Sequence, residues 1–202
     1  MRRGFAALAA ASVLVLAGCT PDDGLAEQYR EGSGKNYIAG DGTVQEWAAG
    51  NRDEPVVFEG VTVDGDAFDS TALDGEVLVV NFWYASCAPC RAEAPILQSV
   101  SEDFAGAGAS VVGVNVRDQA ATAASFEGDY GLDYPSIIDI DSGSAQLAFA
   151  GSVRPNAVPT TIVLDAEHRV AARILGQLPE GSVLQTIVGD LVEEAGGAGE
   201  QG

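Results

Sequence analysis

The segment from residue 77 to residue 90 constrains the fold more than any other part of the chain. Residues 77–83 are all apolar except Asn81, and Cys87 and Cys90 follow shortly after this run. An almost unbroken apolar run is typical of a strand that is buried on both faces of an α/β sheet. After the cysteines, apolar residues recur at helical spacing, and Pro89 suits the first turn of a helix. The sequence therefore predicts a central strand, a short loop and a helix, with the two cysteines at their junction.

The pattern on either side of this segment predicts an α/β domain. Short apolar runs and periodic segments predict further strands at residues 111–116, 135–139, 160–164 and 170–174, and helices at residues 119–130, 144–149 and 180–193. A turn signal at residues 64–66 predicts a small β-hairpin that opens the domain. The last two strands flank a turn at residues 165–169, where we expect His168 to be exposed. Together these elements predict a mixed central β-sheet flanked by helices on both faces.

The first residues indicate export. Arg2 and Arg3 precede an apolar run at residues 5–17, which is shorter than the ~20 residues that a membrane-spanning helix needs. Its length and flanks are typical of a signal peptide, and residues 16–19, which end at Cys19, resemble the lipobox of bacterial lipoproteins. We therefore predict a signal peptide at residues 1–18 and a lipid anchor on Cys19, at the extracytoplasmic face of the cell membrane. The alternative is a secreted protein in which Cys19 is a leftover thiol.

Composition divides the rest of the chain. Residues 19–54 lack a sustained apolar period, so we predict a flexible tether there. We predict a folded domain at residues 55–193 and a disordered Gly-rich tail at residues 194–202.

The chain has 30 Asp and Glu residues against 10 Lys and Arg residues. Such an acidic surface repels phosphates, which argues against nucleic acid as a partner.

The cysteine count favours redox chemistry. With Cys19 assigned to lipid, Cys87 and Cys90 remain, outside the cytoplasm, where disulfides form and persist. A disulfide between residues so close in sequence closes a very short loop and stabilises a fold little. Two thiols are also too few for a closed structural zinc site, and no second pair exists. The sequence predicts neither a cofactor nor a metal.

Two motifs carry a resemblance to a known family. The loop Trp83-Tyr84-Ala85-Ser86-Cys87-Ala88-Pro89-Cys90, with Glu93 after it, resembles the redox loop of the TlpA/ResA-like branch of the thioredoxin superfamily. Residues 158–161, which begin with Val158 and Pro159, resemble the cis-proline segment of that superfamily. The resemblance runs from about residue 55 to residue 192. It implies a thioredoxin-like fold and a thiol-disulfide oxidoreductase that acts outside the cytoplasm.

The resemblance also implies a role for each site residue. Cys87, placed just before a helix, is expected to be the exposed thiolate that attacks disulfides, and Cys90 the buried thiol that resolves the mixed disulfide. The bond before Pro159 is expected to be cis. We assign Val158, Pro159 and Trp83 to the surface that binds the client.

Two positions depart from the wider superfamily. Asn81 stands where thioredoxins carry a buried Asp, and Ser86 stands where most relatives carry Trp. The TlpA/ResA-like branch shares the Asn and places a Glu three residues after the second Cys. Glu93 occupies that position, so we expect it to take or hold the proton of Cys90. The alternative is that Glu93 is an ordinary solvent-exposed carboxylate on the helix.

The expected partners are client proteins with thiols or disulfides and a membrane redox partner. Relatives in this branch include reductants of cytochrome c maturation, and the sequence leaves the direction of electron flow open. Two other classes remain as alternatives. A peroxidase of the peroxiredoxin type would need a Pro and a Thr or Ser at fixed positions before the nucleophile, and neither Cys87 nor Cys90 has them. A carrier or chaperone for Cu(I) could use the two thiolates alone.

Overall fold

A computed structural model describes residues 44–150, 158–179 and 181–199. The predicted signal peptide, Cys19 and the first part of the predicted tether lie outside the described residues.

The described residues form eight strands and four α-helices. The strands are β1 (Val44–Glu46), β2 (Glu59–Val61), β3 (Ala67–Asp69), β4 (Val77–Trp83), β5 (Ala109–Asn115), β6 (Ser136–Ile138), β7 (Thr160–Leu164) and β8 (Val170–Leu175). The helices are α1 (Ala88–Phe104), α2 (Ala120–Tyr130), α3 (Ser144–Ala148) and α4 (Gly181–Gly199). Each strand and helix that the sequence predicts from residue 77 onward is present, with its ends shifted by a few residues.

Six strands form the main sheet in the order β1-β8-β7-β4-β5-β6. Strands β4, β5 and β6 are parallel to one another, whereas β7 is antiparallel to β4 and β8, and β8 to β1. The sheet is therefore mixed, as predicted. Its central strand β4 is buried along its whole length, which explains the unbroken apolar run in the sequence.

Successive side chains of β4 point to opposite faces of the sheet and enter two different cores. Val77 and Val79 pack with residues of α1 and α4, among them Leu97 and Leu184. Leu78, Val80 and Phe82 pack on the other face with Phe58 and Phe149. Helices and the β2–β3 region therefore cover the sheet on both sides, and the loop after β4 is held at the edge where the parallel strands end.

Strands β2 and β3 form a separate two-stranded antiparallel sheet. The turn between them contains Gly65, whose φ of 89° favours glycine. An isolated bridge between Thr62 and Ile137 links this hairpin to β6. The hairpin lies where the turn signal at residues 64–66 predicted it.

The folded domain begins earlier than the sequence predicted. Strand β1 lies within the predicted tether, pairs with β8, and continues to Trp47, whose N–H donates to the carbonyl of Ala171. Arg52 binds Asp165 at 2.9 Å and Glu194 at 2.6 Å, and both its guanidinium and the Asp165 carboxylate are buried. The sequence did not reveal this because a three-residue edge strand carries too short an apolar pattern. The described part of the predicted tether, residues 44–54, thus belongs to the domain.

The final helix also continues beyond its predicted end. Helix α4 runs through Gly199, so residues 194–199 of the predicted disordered tail are helical. Glycine is a weak helix former, which is why Gly196 and Gly197 indicated a helix end. The bidentate contact of Arg52 with Glu194, at 2.6 and 3.0 Å, stabilises the turn in which the glycines begin.

His168 is buried, not exposed as the turn predicted. Its side chain is 2% exposed, and its Nε2 lies 3.2 Å from the carbonyl oxygen of Leu73. Its own carbonyl accepts a hydrogen bond from the N–H of Val56. The turn between β7 and β8 therefore packs against the segments at residues 56 and 73, which are distant in sequence.

Among the residues that the structure describes, no helix combines the length and the apolar character that crossing a membrane would require.

Candidate active site

Cys87 and Cys90 lie where β4 ends and α1 begins. Cys87 is the N-cap of α1, and the backbone N–H of Cys90 donates to its sulfur at 3.2 Å. Pro89 lies in the first turn, as predicted. Unpaired N–H groups and the helix dipole stabilise negative charge at this position, so the local geometry favours a thiolate on Cys87.

The two cysteines form a disulfide with a Cα–Cα distance of 5.2 Å. Cys87 is 3% exposed and Cys90 is 2% exposed, so the expected exposure of Cys87 is wrong for this oxidised state. The cysteines belong to a cluster with Trp83, Ala94, Ala123 and Phe126, against which Tyr84 and Val158 also pack. Covering side chains therefore limit access to the disulfide, and a client must fit closely against them.

Trp83 supports the cysteines from inside the domain. Its side chain is buried, with its ring centroid 4.4 Å from that of Phe126, which in turn lies 4.6 Å from that of Tyr130. A methyl group on Gly113 of β5 would come within 2.7 Å of the indole nitrogen of Trp83. Trp83 is only 3% exposed in this oxidised state, as is Cys87, and its client-binding role stays a prediction.

The segment before β7 packs against the redox pair. The peptide bond between Val158 and Pro159 is cis, as predicted, and Val158 contacts the cluster that contains both cysteines. The carbonyl oxygen of Pro159 accepts a hydrogen bond from Gly176 at 2.9 Å. The two motifs, about 70 residues apart in the sequence, therefore meet at one site. The client-binding roles of Val158 and Pro159 stay predictions.

Glu93 is completely buried on the inner face of α1. One carboxylate oxygen accepts from the Nδ2 of Asn81 at 2.9 Å, and the other accepts from the backbone N–H of Leu178 at 3.0 Å. Burial raises the pKa of Glu93 from 4.5 to about 7, although these two hydrogen bonds oppose the rise. The alternative of a solvated helix carboxylate is wrong, and Glu93 can exchange a proton near neutral pH.

Asn81 connects Glu93 to the strand that follows the cis-proline. Its Nδ2 also donates to the hydroxyl of Thr161 at 3.0 Å, and both residues are buried. An amide and a hydroxyl can each act as donor or acceptor, so this pair is compatible with either protonation state of Glu93. An Asp at position 81 would instead place a second carboxylate beside Glu93.

The sequence missed two members of this network, Thr161 and the backbone of Leu178, and also Tyr134, which lies near Glu93. Tyr134 is buried, and burial, followed by the nearby Glu93, raises the pKa of its hydroxyl above the ordinary value. Each of these groups is distant from Glu93 in the sequence. The sequence predicted a strand at residues 160–164, but nothing local indicated that Thr161 would contact Asn81.

A hydrogen-bonded loop after β5 fixes the segment before Cys87. The carboxylate of Asp118 accepts from the backbone N–H of Ala85 at 2.6 Å and from the Nδ2 of Asn115 at 3.0 Å. The N–H of Val116 donates to the carbonyl of Trp83 at 3.1 Å. These bonds hold the approach to Cys87 in a single conformation. Sequence reasoning missed this loop as well, because Asn115 and Asp118 belong to no motif.

Comparison with known proteins places this arrangement in a known group. The model of the Redoxin family matches residues 48–188. The chain is 32% identical over 139 residues to the thiol:disulfide interchange protein HelX of Rhodobacter capsulatus, which covers 69% of this chain and 74% of HelX. It is 28% identical over 120 residues to the thiol-disulfide oxidoreductase ResA of Bacillus subtilis, and that match spans 59% of this chain and 64% of the ResA length.

Solved structures agree in fold. A DsbF homologue from Corynebacterium diphtheriae superposes with a TM-score of 0.67 at 35% identity, covering 77% of this chain and 97% of that protein. A secreted thiol-disulfide isomerase from Corynebacterium glutamicum superposes with a TM-score of 0.67 at 31% identity, covering 79% of this chain and 98% of that protein. The predicted thioredoxin-like fold is confirmed.

Proposed function

Because the chain belongs to the redoxin family, and because its relatives there are thiol-disulfide oxidoreductases, we propose that it reduces disulfides of client proteins outside the cytoplasm. The matched domain is a thiol-disulfide oxidoreductase domain. One observation carries the assignment of the site: a disulfide between Cys87 at the N-cap of a helix and Cys90, with the Val158–Pro159 segment packed against it.

The reaction begins with Cys87 as a thiolate and Cys90 as a thiol. The Cys87 thiolate attacks one sulfur of the client disulfide, that S–S bond breaks, and the other client sulfur leaves as a thiolate. Cys90 then gives its proton to Glu93 and attacks the sulfur of Cys87, which releases the second client sulfur. The client gains two electrons, and the protein is left with the Cys87–Cys90 disulfide. A membrane redox partner restores the two thiols.

The environment of Glu93 supports its role as the acceptor of the Cys90 proton. Resolution of the mixed disulfide requires a thiolate on Cys90, which is unfavourable in an apolar pocket unless a nearby group takes the proton. Glu93 lies one helical turn after Cys90, so the two side chains can share a face of α1. Its pKa of about 7 allows it to accept a proton near neutral pH and to lose it again afterwards.

The proposed location rests on the sequence. The predicted signal peptide at residues 1–18 and the resemblance of residues 16–19 to a lipobox support export and a lipid anchor. Cys87 and Cys90 would then lie in an oxidising compartment, where client disulfides form. Because that compartment favours the disulfide, the membrane partner must supply electrons continuously to keep the protein reduced.

Trapping of clients tests the order of the thiols. The Cys90→Ser variant lacks the resolving thiol, so it should accumulate mixed disulfides with clients through Cys87. The Cys87→Ser variant is the matched control and should accumulate few or none. Non-reducing electrophoresis followed by mass spectrometry measures both, and equal trapping by the two variants would contradict the assigned roles.

The direction of electron flow is tested by the reduction potential of the Cys87/Cys90 couple. A reductant should have a value near that of thioredoxin, ~−270 mV. A value near ~−120 mV, typical of a strong oxidant, would contradict the proposed direction while leaving the site assignment intact.

A further inference from the structure

Two arginines without an acidic partner lie beside the redox pair in the part of the chain that the structure describes. In the described ranges the cationic side chains are those of Arg52, Arg91, Arg117, Arg169 and Arg173. Arg52 and Arg169 form ion pairs with carboxylates, and Arg173, half-buried, donates to Gln45. The remaining two, Arg91 and Arg117, are exposed and have no acidic partner among the residues that the structure describes.

Arg117 lies over the loop that leads to Cys87. Its guanidinium carbon is 4.2 Å from the centre of the Tyr84 ring, a cation–π contact that fixes its position. The carbonyl of Tyr84 accepts the N–H of Cys87 at 3.1 Å, so the aromatic platform and the nucleophile belong to one turn. Asn115 accepts the N–H groups of Arg117 and Asp118 at 3.1 and 2.7 Å, which fixes the backbone beneath the guanidinium.

Arg91 lies in the first turn of α1, the helix that Cys87 caps. It follows Cys90 directly, and its backbone N–H donates to the carbonyl of Cys87 at 3.1 Å. Its side chain is exposed, so the charge faces solvent. Arg91 therefore belongs to the helix that begins at Cys87, and Arg117 packs on Tyr84 in the loop that precedes Cys87.

The acidic side chains nearest to Arg91 and Arg117 in the sequence, Glu93 and Asp118, already accept hydrogen bonds from other parts of the protein. One carboxylate oxygen of Asp118 accepts from both Ala85 and Asn115, which ties that oxygen to the protein. Glu93 is buried and faces Asn81 and Leu178. Neither carboxylate forms an ion pair with Arg91 or Arg117, so both guanidinium groups can meet an incoming client.

We propose that Arg91 and Arg117 select client disulfides whose cysteine is flanked by Asp or Glu. The inference rests on the proposed function, since it concerns the client of the same site. A carboxylate beside the client cysteine pairs with the planar guanidinium of Arg117, which accepts carboxylates in a bidentate geometry, and a second carboxylate pairs with Arg91. The rest of the acidic surface repels such clients, so the two arginines direct them to Cys87.

The expected size of the effect follows from exposed ion pairs. Each exposed ion pair between an arginine and a client carboxylate should strengthen client binding by roughly 1.5- to 5-fold at moderate ionic strength. The two arginines together should therefore favour an acidic client over a neutral one by roughly 2- to 25-fold, and salt should weaken the preference because it screens exposed charges.

The test uses three disulfide-bonded peptides that differ only in the residues flanking one cysteine, which are Glu, Gln or Lys. The protein is the full chain with Cys19→Ser, so that Cys87 and Cys90 are its only thiols. After reduction, its rate with each peptide is followed by stopped-flow tryptophan fluorescence at low and high salt. Arg91→Gln, Arg117→Gln and the double variant are compared with Arg169→Gln. This control removes the same charge at the turn between β7 and β8, which is at the opposite end of the sheet.

We expect the rates to follow the order Glu, Gln, Lys in the parent and in Arg169→Gln. The preference for the Glu peptide should fall several-fold in Arg91→Gln and in Arg117→Gln, disappear in the double variant and weaken at high salt. The Arg91→Gln and Arg117→Gln variants could instead slow the reaction of all three peptides equally, while the pH dependence of thiol alkylation shows an altered pKa of Cys87. That result would overturn the proposal by showing that the arginines act by stabilising the thiolate. Equal rates of the parent with all three peptides would also overturn it and leave the proposed function standing. No reaction with any peptide would instead refute the proposed function.

Discussion

The substitution Glu93→Gln tests how the buried carboxyl group is linked to stability. The side chain of Glu93 is completely buried, and its pKa in the folded protein is about 7 compared with an ordinary value of 4.5. A carboxyl group whose pKa is higher in the folded state binds its proton more tightly there. Its contribution to stability is fully present below the unfolded pKa and is lost as the pH rises through the folded pKa.

The magnitude follows from the two pKa values. The interval between 4.5 and about 7 corresponds to roughly 3 kcal/mol of unfolding free energy, lost between acid and mildly alkaline pH. Gln at position 93 cannot ionise and has nearly the same shape. It can still accept from Leu178, and it can donate to Asn81 if that amide turns over. Relative to the parent, the variant should therefore gain about 3 kcal/mol between pH 4 and pH 8.5.

Urea unfolding of the oxidised proteins across this pH range measures the difference. Fluorescence reports unfolding because Trp83 is buried and Trp47 is partly buried. Subtracting the parent from the variant at each pH removes the contribution of the other titrating groups. Glu102→Gln, an exposed carboxylate on the same helix, is the matched control and should give a difference that hardly changes with pH.

A flat difference for Glu93→Gln would refute the reasoning, because it would mean that the carboxyl group titrates alike in the folded and unfolded chain. The same variant also tests catalysis. Stopped-flow rates of disulfide exchange should be slower than in the parent, with an altered pH profile. Superimposable rate profiles would show that Cys90 gives its proton directly to water, whatever the outcome of the stability measurement.

Three further predictions concern the surroundings of the site. Thr161→Val removes the acceptor that orients the amide of Asn81, so the pKa of Glu93 should rise and the midpoint of its stability difference should move to higher pH, whereas Thr161→Ser should leave it in place. Gly113→Ala puts a methyl group against the hydroxyl of Ser136 and within 2.7 Å of the Trp83 indole nitrogen, and should cost about 1–3 kcal/mol in urea unfolding; no loss would mean that both side chains move aside freely. Cys19→Ala should release the protein from membranes or block its processing, and unchanged fractionation, with no lipid found on the parent by mass spectrometry, would refute the anchor.

The sequence by itself determined the elements that depend on local pattern. The apolar run at residues 77–83 predicted a strand buried on both faces, and Pro89 with the periodic residues after it predicted α1. Through their resemblance to the thioredoxin superfamily, the pair Cys87 and Cys90 and the Val158–Pro159 segment also implied a redox site next to a cis peptide bond. Each signal is contained in a few adjacent residues, because backbone preferences and side-chain periodicity act over one or two turns.

Only the tertiary structure decided which side chains are buried and what they contact. Glu93 looks like any helix carboxylate in sequence, and it is buried because Asn81 from β4 and Leu178 from after β8 supply its donors. His168 was expected at the surface and is buried for the same kind of reason. Burial depends on elements that are distant in the chain and meet only when the sheet and helices assemble. The pKa of Glu93, on which the proposed chemistry depends, is therefore a property of the fold and not of the motif.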